Sequence, residues 1–125
     1  MRQAGFIAAA GLYALQHNVK RLTEDHRRAQ VIGKALQACE WVKAIMPIDT
    51  NIVIAEMQEG IPSSAAMIAL AEVGIKCFTF GNDKIRLVTH LDFDDEQLDH
   101  LVAILPSITR EKLHAAAAER LPGMY

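Results

Sequence analysis

The feature that most constrains this chain is an unbroken apolar run near its N terminus. From Ala4 to Leu15 no charged, hydroxyl-bearing aliphatic or amide side chain occurs. A helix that faces solvent on one side carries polar residues every three to four positions. The run therefore predicts a helix over residues 4–17 that needs other protein around all of its sides.

A secretory signal peptide or a membrane span can also produce an apolar run. The small residues Ala8–Ala10 lie in the middle of this one, and no A-x-A cleavage site follows Leu15. A membrane span needs about 20 apolar residues, more than this run offers. We interpret the segment as a buried helix of a soluble protein.

The composition describes an ordinary globular chain. Its 125 residues are enough for one domain with its own core, and 51% are hydrophobic, 22% are charged and the net charge is −2. No basic face emerges, so neither nucleic acid nor a membrane is an expected partner. Cys39 and Cys77 show no metal-ligand spacing, which predicts two free thiols, no metal site and a cytoplasmic location.

Hydrophobic periodicity divides the rest of the chain into alternating elements. Helices are predicted over residues 4–17, 19–38, 64–73, 94–105 and 107–121, and strands over residues 41–46, 51–57, 75–80 and 84–89. This order predicts an α+β fold, a small and mostly antiparallel sheet with helices packed on one side.

Local signals mark where these elements begin and end. Ser63 is the expected cap of the third helix, and Gly74 is expected to end it. The Gly81-Asn82-Asp83 segment predicts a hairpin between the last two strands. Asp94 with Gln97 three residues later predicts a capping box, and Pro106 should break the helix that follows.

The strongest single candidate for chemistry is Arg86, in the middle of an apolar strand. Its planar guanidinium suits a carboxylate held by two parallel hydrogen bonds. A structural ion pair to Glu56, Asp92 or Asp94 is the alternative, and the residues alone favour it. His90 shares the predicted strand face of Arg86 and could support Arg86 or act as an acid or base, but a strand end that leads into a helix cap is the simpler interpretation.

Three blocks of sequence stand out together. They are Met1–Gly5 through Leu12–Leu15, Asn18–Leu22 with Glu24–His26, and Thr50–Val53 with Ile85–Asp92. These blocks resemble the C-terminal part of the low-specificity L-threonine aldolases, in the beta-eliminating lyase family, which are pyridoxal-phosphate lyases of the aspartate-aminotransferase fold type. Their order and spacing extend the resemblance over roughly residues 1–105.

The resemblance implies a role for two arginines and a division of the chain. Arg2 would hold the cofactor phosphate, often across a subunit interface, and Arg86 would bind the substrate α-carboxylate. The parent reaction is the cleavage of L-threonine or L-allo-threonine to glycine and acetaldehyde. Residues 1–17 would form an interface helix that bridges to the large domain, residues 18–105 the small-domain core, and residues 106–125 a helical tail.

The same resemblance implies what this chain does not supply. The lysine that links to pyridoxal phosphate, the group stacked on its ring and the partner of the ring nitrogen all belong to the family's sequence before the first block. None of the six lysines here occupies such a position, so we expect no catalytic residue, no covalently bound cofactor and no lyase activity from this chain alone. It would be a truncated product, a mis-started frame or half of a split enzyme.

Two partner expectations and one alternative function follow. The apolar N-terminal helix predicts a homo-oligomer, and a separate chain could supply the large domain. The alternative is a non-catalytic module that binds an amino acid or serves as a dimerisation scaffold. Binding of a carboxylate through Arg86 would distinguish a retained site from a scaffold.

Overall fold

The computed structural model describes residues 2–118, which form a four-stranded sheet and five helices. In chain order the elements are α1 (Ala4–His17), α2 (Leu22–Gln37), β1 (Val42–Ile45), β2 (Ile52–Met57), α3 (Ser63–Glu72), β3 (Phe78–Thr79), β4 (Lys84–Val88), α4 (Asp95–Ile104), a 3-10 turn (Leu105–Ser107) and α5 (Arg110–Ala118).

The sheet is antiparallel throughout, with strand order β1-β2-β4-β3. Side chains alternate between its faces, as they must in an extended strand. Val53 and Ala55 of β2 and Ile85 and Leu87 of β4 are buried on the face that the helices cover. The predicted α+β class, with helices on one side of a small antiparallel sheet, is confirmed.

The helices supply the other half of the core. Ile32 and Leu36 of α2, Leu70 of α3 and Leu101 of α4 are all at most 5% exposed, and Trp41 before β1 is fully buried. Burial of each such large side chain stabilises the fold by roughly 1.5–3 kcal/mol. This single core fixes the position of β4 in the sheet.

The end of α3 explains why β3 is shorter than predicted. The backbone N–H of Gly74 donates to Ala71 O and that of Ile75 to Leu70 O, with Gly74 at φ 84°. These two bonds form the common glycine-ended helix terminus. The prediction that Gly74 ends the helix is confirmed, but the strand predicted from residue 75 was wrong, because Ile75 completes the helix end and β3 covers only Phe78–Thr79.

The start of α3 also differs from the prediction. Pro62 occupies the N-cap position, so the prediction that Ser63 caps this helix was wrong. Ser63 is instead the first helical residue, 2% exposed, and its Oγ donates to Gly81 O at 2.8 Å. The hydroxyl therefore ties α3 to the hairpin loop, where Gly81 has φ 76°.

The capping box of α4 is present as predicted. The Asp94 carboxylate accepts from the backbone N–H of Gln97 at 2.9 Å, and the Gln97 side chain accepts from the backbone N–H of Asp94 at 3.1 Å. The helix ends at Ile104, and Pro106 lies in the 3-10 turn that follows.

The last helix begins later than predicted. Ser107 belongs to the 3-10 turn, so α5 begins at Arg110 rather than at residue 107. The remainder of the predicted helix, residues 119–121, and the predicted stop at Pro122-Gly123 lie outside the described residues.

Salt bridges join α2 to the start of α4. Arg28 Nε and Arg27 Nη2 contact the same oxygen of Asp95 at 2.8 and 2.6 Å, and Arg28 Nη1 donates to Phe93 O. The hydrogen bonds from Arg28 and then Arg27 lower the pKa of Asp95. The start of α2 itself is Leu22, three residues later than the predicted boundary.

Helix α1 has the predicted bounds but not the predicted environment. None of its residues is buried in the described chain, and Phe6, Ile7 and Leu15 are 81%, 64% and 70% exposed. The expectation of a helix buried on every side is therefore not met by residues 2–118. Within this range no helix is long and apolar enough to cross a membrane.

Both cysteines are free thiols, as predicted. Burial raises the pKa of Cys77 to about 11, so this thiol is inert at neutral pH. No group of metal-binding side chains occurs among residues 2–118.

The capping box gives a direct test of the fold. Asp94→Ala should lower the free energy of unfolding by about 1 kcal/mol, because the backbone N–H of Gln97 loses its acceptor. Asp94→Asn keeps an acceptor and should cost less. Urea unfolding of both variants, with Asp99→Ala on the same helix as control, checks this. Equal losses in the Asn and Ala variants would contradict the capping role.

Candidate functional site

Strand β4 presents Arg86 on the face of the sheet that the helices leave uncovered. Its neighbours Ile85 and Leu87 are 0% and 5% exposed and point into the core. Arg86 therefore lies on the opposite face, where it is half-buried.

Arg86 has an apolar residue opposite it on each neighbouring strand. The sheet register places Ile54 of β2 and Phe78 of β3 directly opposite Arg86, one on each side. Arg86 Cζ is 5.8 Å from the centroid of the Phe78 ring. Its Nε is buried and has no hydrogen-bond partner among the described residues.

The structural ion pair that the residues alone favoured is not formed within residues 2–118. Glu56 pairs with Lys43 instead, and this hydrogen bond raises the pKa of Lys43. Asp94 caps α4, and Asp92 contacts the His90 ring at 3.9 Å. Arg86 thus keeps donors free for an anion from outside the described chain.

The other cation near Arg86 on β4 is already neutralised. Lys84 Nζ contacts Asp83 Oδ2 at 2.7 Å, and the hydrogen bond from Lys84 lowers the pKa of Asp83. Arg86 is therefore the cation of this strand that an incoming carboxylate would meet unpaired.

A buried threonine, which the sequence analysis does not single out, holds the end of β4 against α2. Thr89 is 1% exposed, and its Oγ1 donates to Asp25 O of α2 at 2.7 Å. Asn51 holds the same residue through its side chain and its backbone carbonyl. These bonds fix the register of β4 and with it the position of Arg86.

Asp25 is itself a buried charge held in place. Its side chain is 3% exposed and contacts Arg21 at 2.8 Å and Arg28 at 4.0 Å. A buried carboxylate needs such partners. The three residues therefore make α2 a firm support for the end of β4.

The two arginines implied by the resemblance are not brought together. Arg2 is exposed and makes no side-chain hydrogen bond or ion pair to the rest of the described chain. The 14 residues of α1, about 21 Å of helix, separate it from α2. The described residues alone therefore do not close around a phosphorylated cofactor.

His90 also lies apart from Arg86. It is exposed, its Nδ1 accepts from the backbone N–H of Asp92, and it lines a surface cavity of about 650 Å³ that Arg86 does not reach. Lys76 and His100 lie on the same cavity. The interpretation of His90 as a strand end that leads into the α4 cap agrees with this position.

Solved structures show the same fold. The chain superposes on the cystine C-S lyase C-DES with a TM-score of 0.62 and 24% identity, covering 85% of this chain and 29% of that one. A lysine-to-alanine C-DES variant with glycine covalently linked to its pyridoxal phosphate matches with a TM-score of 0.61. Ornithine aminotransferase of Plasmodium yoelii gives 0.56 at 16% identity, over 78% and 26% of the two chains. The described residues therefore have a fold found in pyridoxal-phosphate enzymes of the aminotransferase type.

Sequence comparison finds proteins similar to this chain. The model of the beta-eliminating lyases matches residues 1–60. The low-specificity L-threonine aldolase of Escherichia coli K12 is 38% identical over 103 residues, which are 82% of this chain and 29% of the relative. A probable low-specificity L-threonine aldolase of Arabidopsis thaliana is 30% identical over 111 residues, 86% and 31%.

The chain is similar in sequence to low-specificity L-threonine aldolases, and its first 60 residues match the beta-eliminating lyases. It spans about three tenths of the length of these relatives.

Measurements of unfolding stability can test whether Arg86 is unpaired. Arg86→Met should change the free energy of unfolding by less than about 1 kcal/mol, because no ion pair is lost and a buried unpaired N–H is removed. Arg28→Met is the matched control and should cost about 1–3 kcal/mol, since it takes partners from Asp95 and Phe93 O. A loss in Arg86→Met as large as in Arg28→Met, measured in urea, would contradict the assignment of Arg86 as unpaired.

Proposed function

We propose that this chain contributes the carboxylate-binding part of a threonine-aldolase-like, pyridoxal-phosphate-dependent lyase. The observation that carries the proposal is the unpaired guanidinium of Arg86 on the uncovered sheet face. The parent chemistry is the retro-aldol cleavage of L-threonine or L-allo-threonine to glycine and acetaldehyde. The relationship to the threonine aldolases supports this substrate class.

The environment of Arg86 suits an α-carboxylate. The guanidinium can donate two parallel hydrogen bonds to the two carboxylate oxygens. Ile54 and Phe78 lie opposite Arg86 on the neighbouring strands, and a less polar surrounding strengthens the interaction between opposite charges. A carboxylate held in this way leaves the amino group and the β-hydroxyl of the substrate directed away from the sheet.

The cofactor would be shared with protein outside this chain. Pyridoxal phosphate, when bound, withdraws electrons from the substrate α-carbon and so makes cleavage of the bond to the β-carbon feasible. Arg2 would contribute to its phosphate site. Because Arg2 is exposed at the end of an uncovered helix, it can do so with precision only after a neighbouring protein surface fixes α1.

Lyase activity is therefore not expected from the chain alone. The lysine that links to the cofactor and the partner of its ring nitrogen would come from another part of the protein or from a separate chain. Two of the lysines in this chain are engaged in ion pairs, Lys43 with Glu56 and Lys84 with Asp83.

A second candidate, a dimerisation or scaffold module, is favoured by α1. This helix exposes large apolar side chains over its whole length, including Phe6, Leu12, Tyr13 and Leu15. Apolar surface of this extent marks a protein interface. We propose that in the isolated chain the α1 helices of two or more copies cover one another.

Carboxylate binding separates the two candidates. Glycine or L-threonine at ten times its dissociation constant should stabilise the chain by about 1.4 kcal/mol, which raises the melting temperature by several degrees. Arg86→Met should abolish the effect, and glycinamide, which lacks the carboxylate, should have none on the wild type.

Each contrary result has a meaning. An equal shift in the wild type and in Arg86→Met would contradict the role of Arg86. The absence of any shift with either amino acid would favour the scaffold over the carboxylate site.

Self-association is tested by sedimentation. The wild-type chain should sediment as a dimer or larger species at micromolar concentration, and Phe6→Glu should shift it toward monomer, because a charge in an apolar interface is costly. Gln16→Glu adds the same charge to the same helix at a polar position and serves as control. A wild-type chain that remains monomeric at tens of micromolar would rule out this association.

A further inference from the structure

One aromatic residue next to Arg86 has no role in the core. Phe78 is 66% exposed and belongs to the two-residue edge strand β3. An exposed phenylalanine at a sheet edge contributes little burial and raises the risk of association. Its presence here is therefore better explained by what it contacts.

What Phe78 contacts is the guanidinium. The antiparallel register of β3 and β4 pairs Phe78 with Arg86, and Arg86 Cζ lies 5.8 Å from the ring centroid. This distance is within the range of a cation–π interaction. A guanidinium favours such a contact because its planar, weakly hydrated group stacks on aromatic faces.

The other cations of the sheet are held differently. Lys43 and Lys84 are each oriented by a carboxylate, Glu56 and Asp83 respectively. A carboxylate partner would neutralise Arg86 and occupy the donors that a ligand needs. An aromatic ring restrains the guanidinium without using any N–H group.

We infer that Phe78 is the positioning residue for Arg86: its ring restrains the guanidinium so that the free donors face an incoming α-carboxylate. The inference rests on the proposed function of Arg86 and deepens it. A restrained arginine loses less conformational entropy when it binds a ligand than a mobile one. Phe78 itself contacts neither the carboxylate nor the reacting atoms.

The test compares three variants of the full chain. Phe78→Leu keeps an apolar side chain and removes the ring, and Phe78→Tyr keeps the ring face. Phe80→Leu is the matched control, because Phe80 is also exposed but pairs with Lys84 rather than with Arg86: its backbone N–H donates to Lys84 O. Two quantities are measured in each: the NMR resonance of the Arg86 Nε–H group without ligand, and the dissociation constants for glycine and L-threonine.

Phe78→Leu should shift the Arg86 Nε–H resonance and raise the dissociation constants for glycine and L-threonine by about two- to fivefold. Phe78→Tyr should keep both quantities at their wild-type values, and Phe80→Leu should change neither. The melting temperature of Phe78→Leu should stay close to that of the wild type, since the side chain is mostly exposed.

Failure of the inference and failure of the proposed function are distinguishable. If the wild type binds glycine and L-threonine, and Phe78→Leu binds them equally well with an unchanged Arg86 resonance, Phe78 is not a positioning residue. If the wild type binds neither amino acid, the proposed function of Arg86 falls and the inference falls with it. A defect in binding that Phe78→Tyr shares with Phe78→Leu would also overturn the inference.

Discussion

The antiparallel pairing of β2 with β4 is the interaction on which the rest of the structure depends. Five residues of each strand are in register, from Ile52 opposite Val88 to Glu56 opposite Lys84. Because side chains alternate, this one register decides which residues enter the core and which remain on the open face. It places Arg86 outward and makes Thr89 the buried anchor at the strand end. A shift by one residue would bury the guanidinium and expose Leu87.

The features that could be predicted from the sequence are those set by local chemistry. The capping box at Asp94 needs only two side chains three residues apart, and the glycine-ended helix at Gly74 needs only one residue that accepts positive φ. The hairpin loop also fixes a pairing across β3 and β4. Residues equidistant from Asn82 face each other, which pairs Phe78 with Arg86.

The features that could not be predicted depend on residues far apart in the chain. Glu56, 30 positions before Arg86, is a possible partner of its guanidinium, but in the folded sheet Glu56 pairs with Lys43. Ser63 is a residue type that often caps helices, but here its hydroxyl donates a hydrogen bond to Gly81 O in the hairpin loop. The apolar run of α1 correctly predicts a helix, yet the covering surface that its composition requires is not found in residues 2–118. Two apolar or unpaired surfaces thus remain uncovered by the described residues: α1 and the sheet face around Arg86.

The most direct test of the proposed function is covalent trapping of the cofactor. The purified chain is mixed with pyridoxal phosphate and reduced with borohydride, adducts are located by peptide mass spectrometry, and glycine release from L-threonine is measured alongside. We expect absent or scattered labelling of the six lysines and no release of glycine. One lysine labelled to completion, such as Lys84 on the strand of Arg86, together with glycine release would contradict the proposal, because the chain would then hold a complete site of its own.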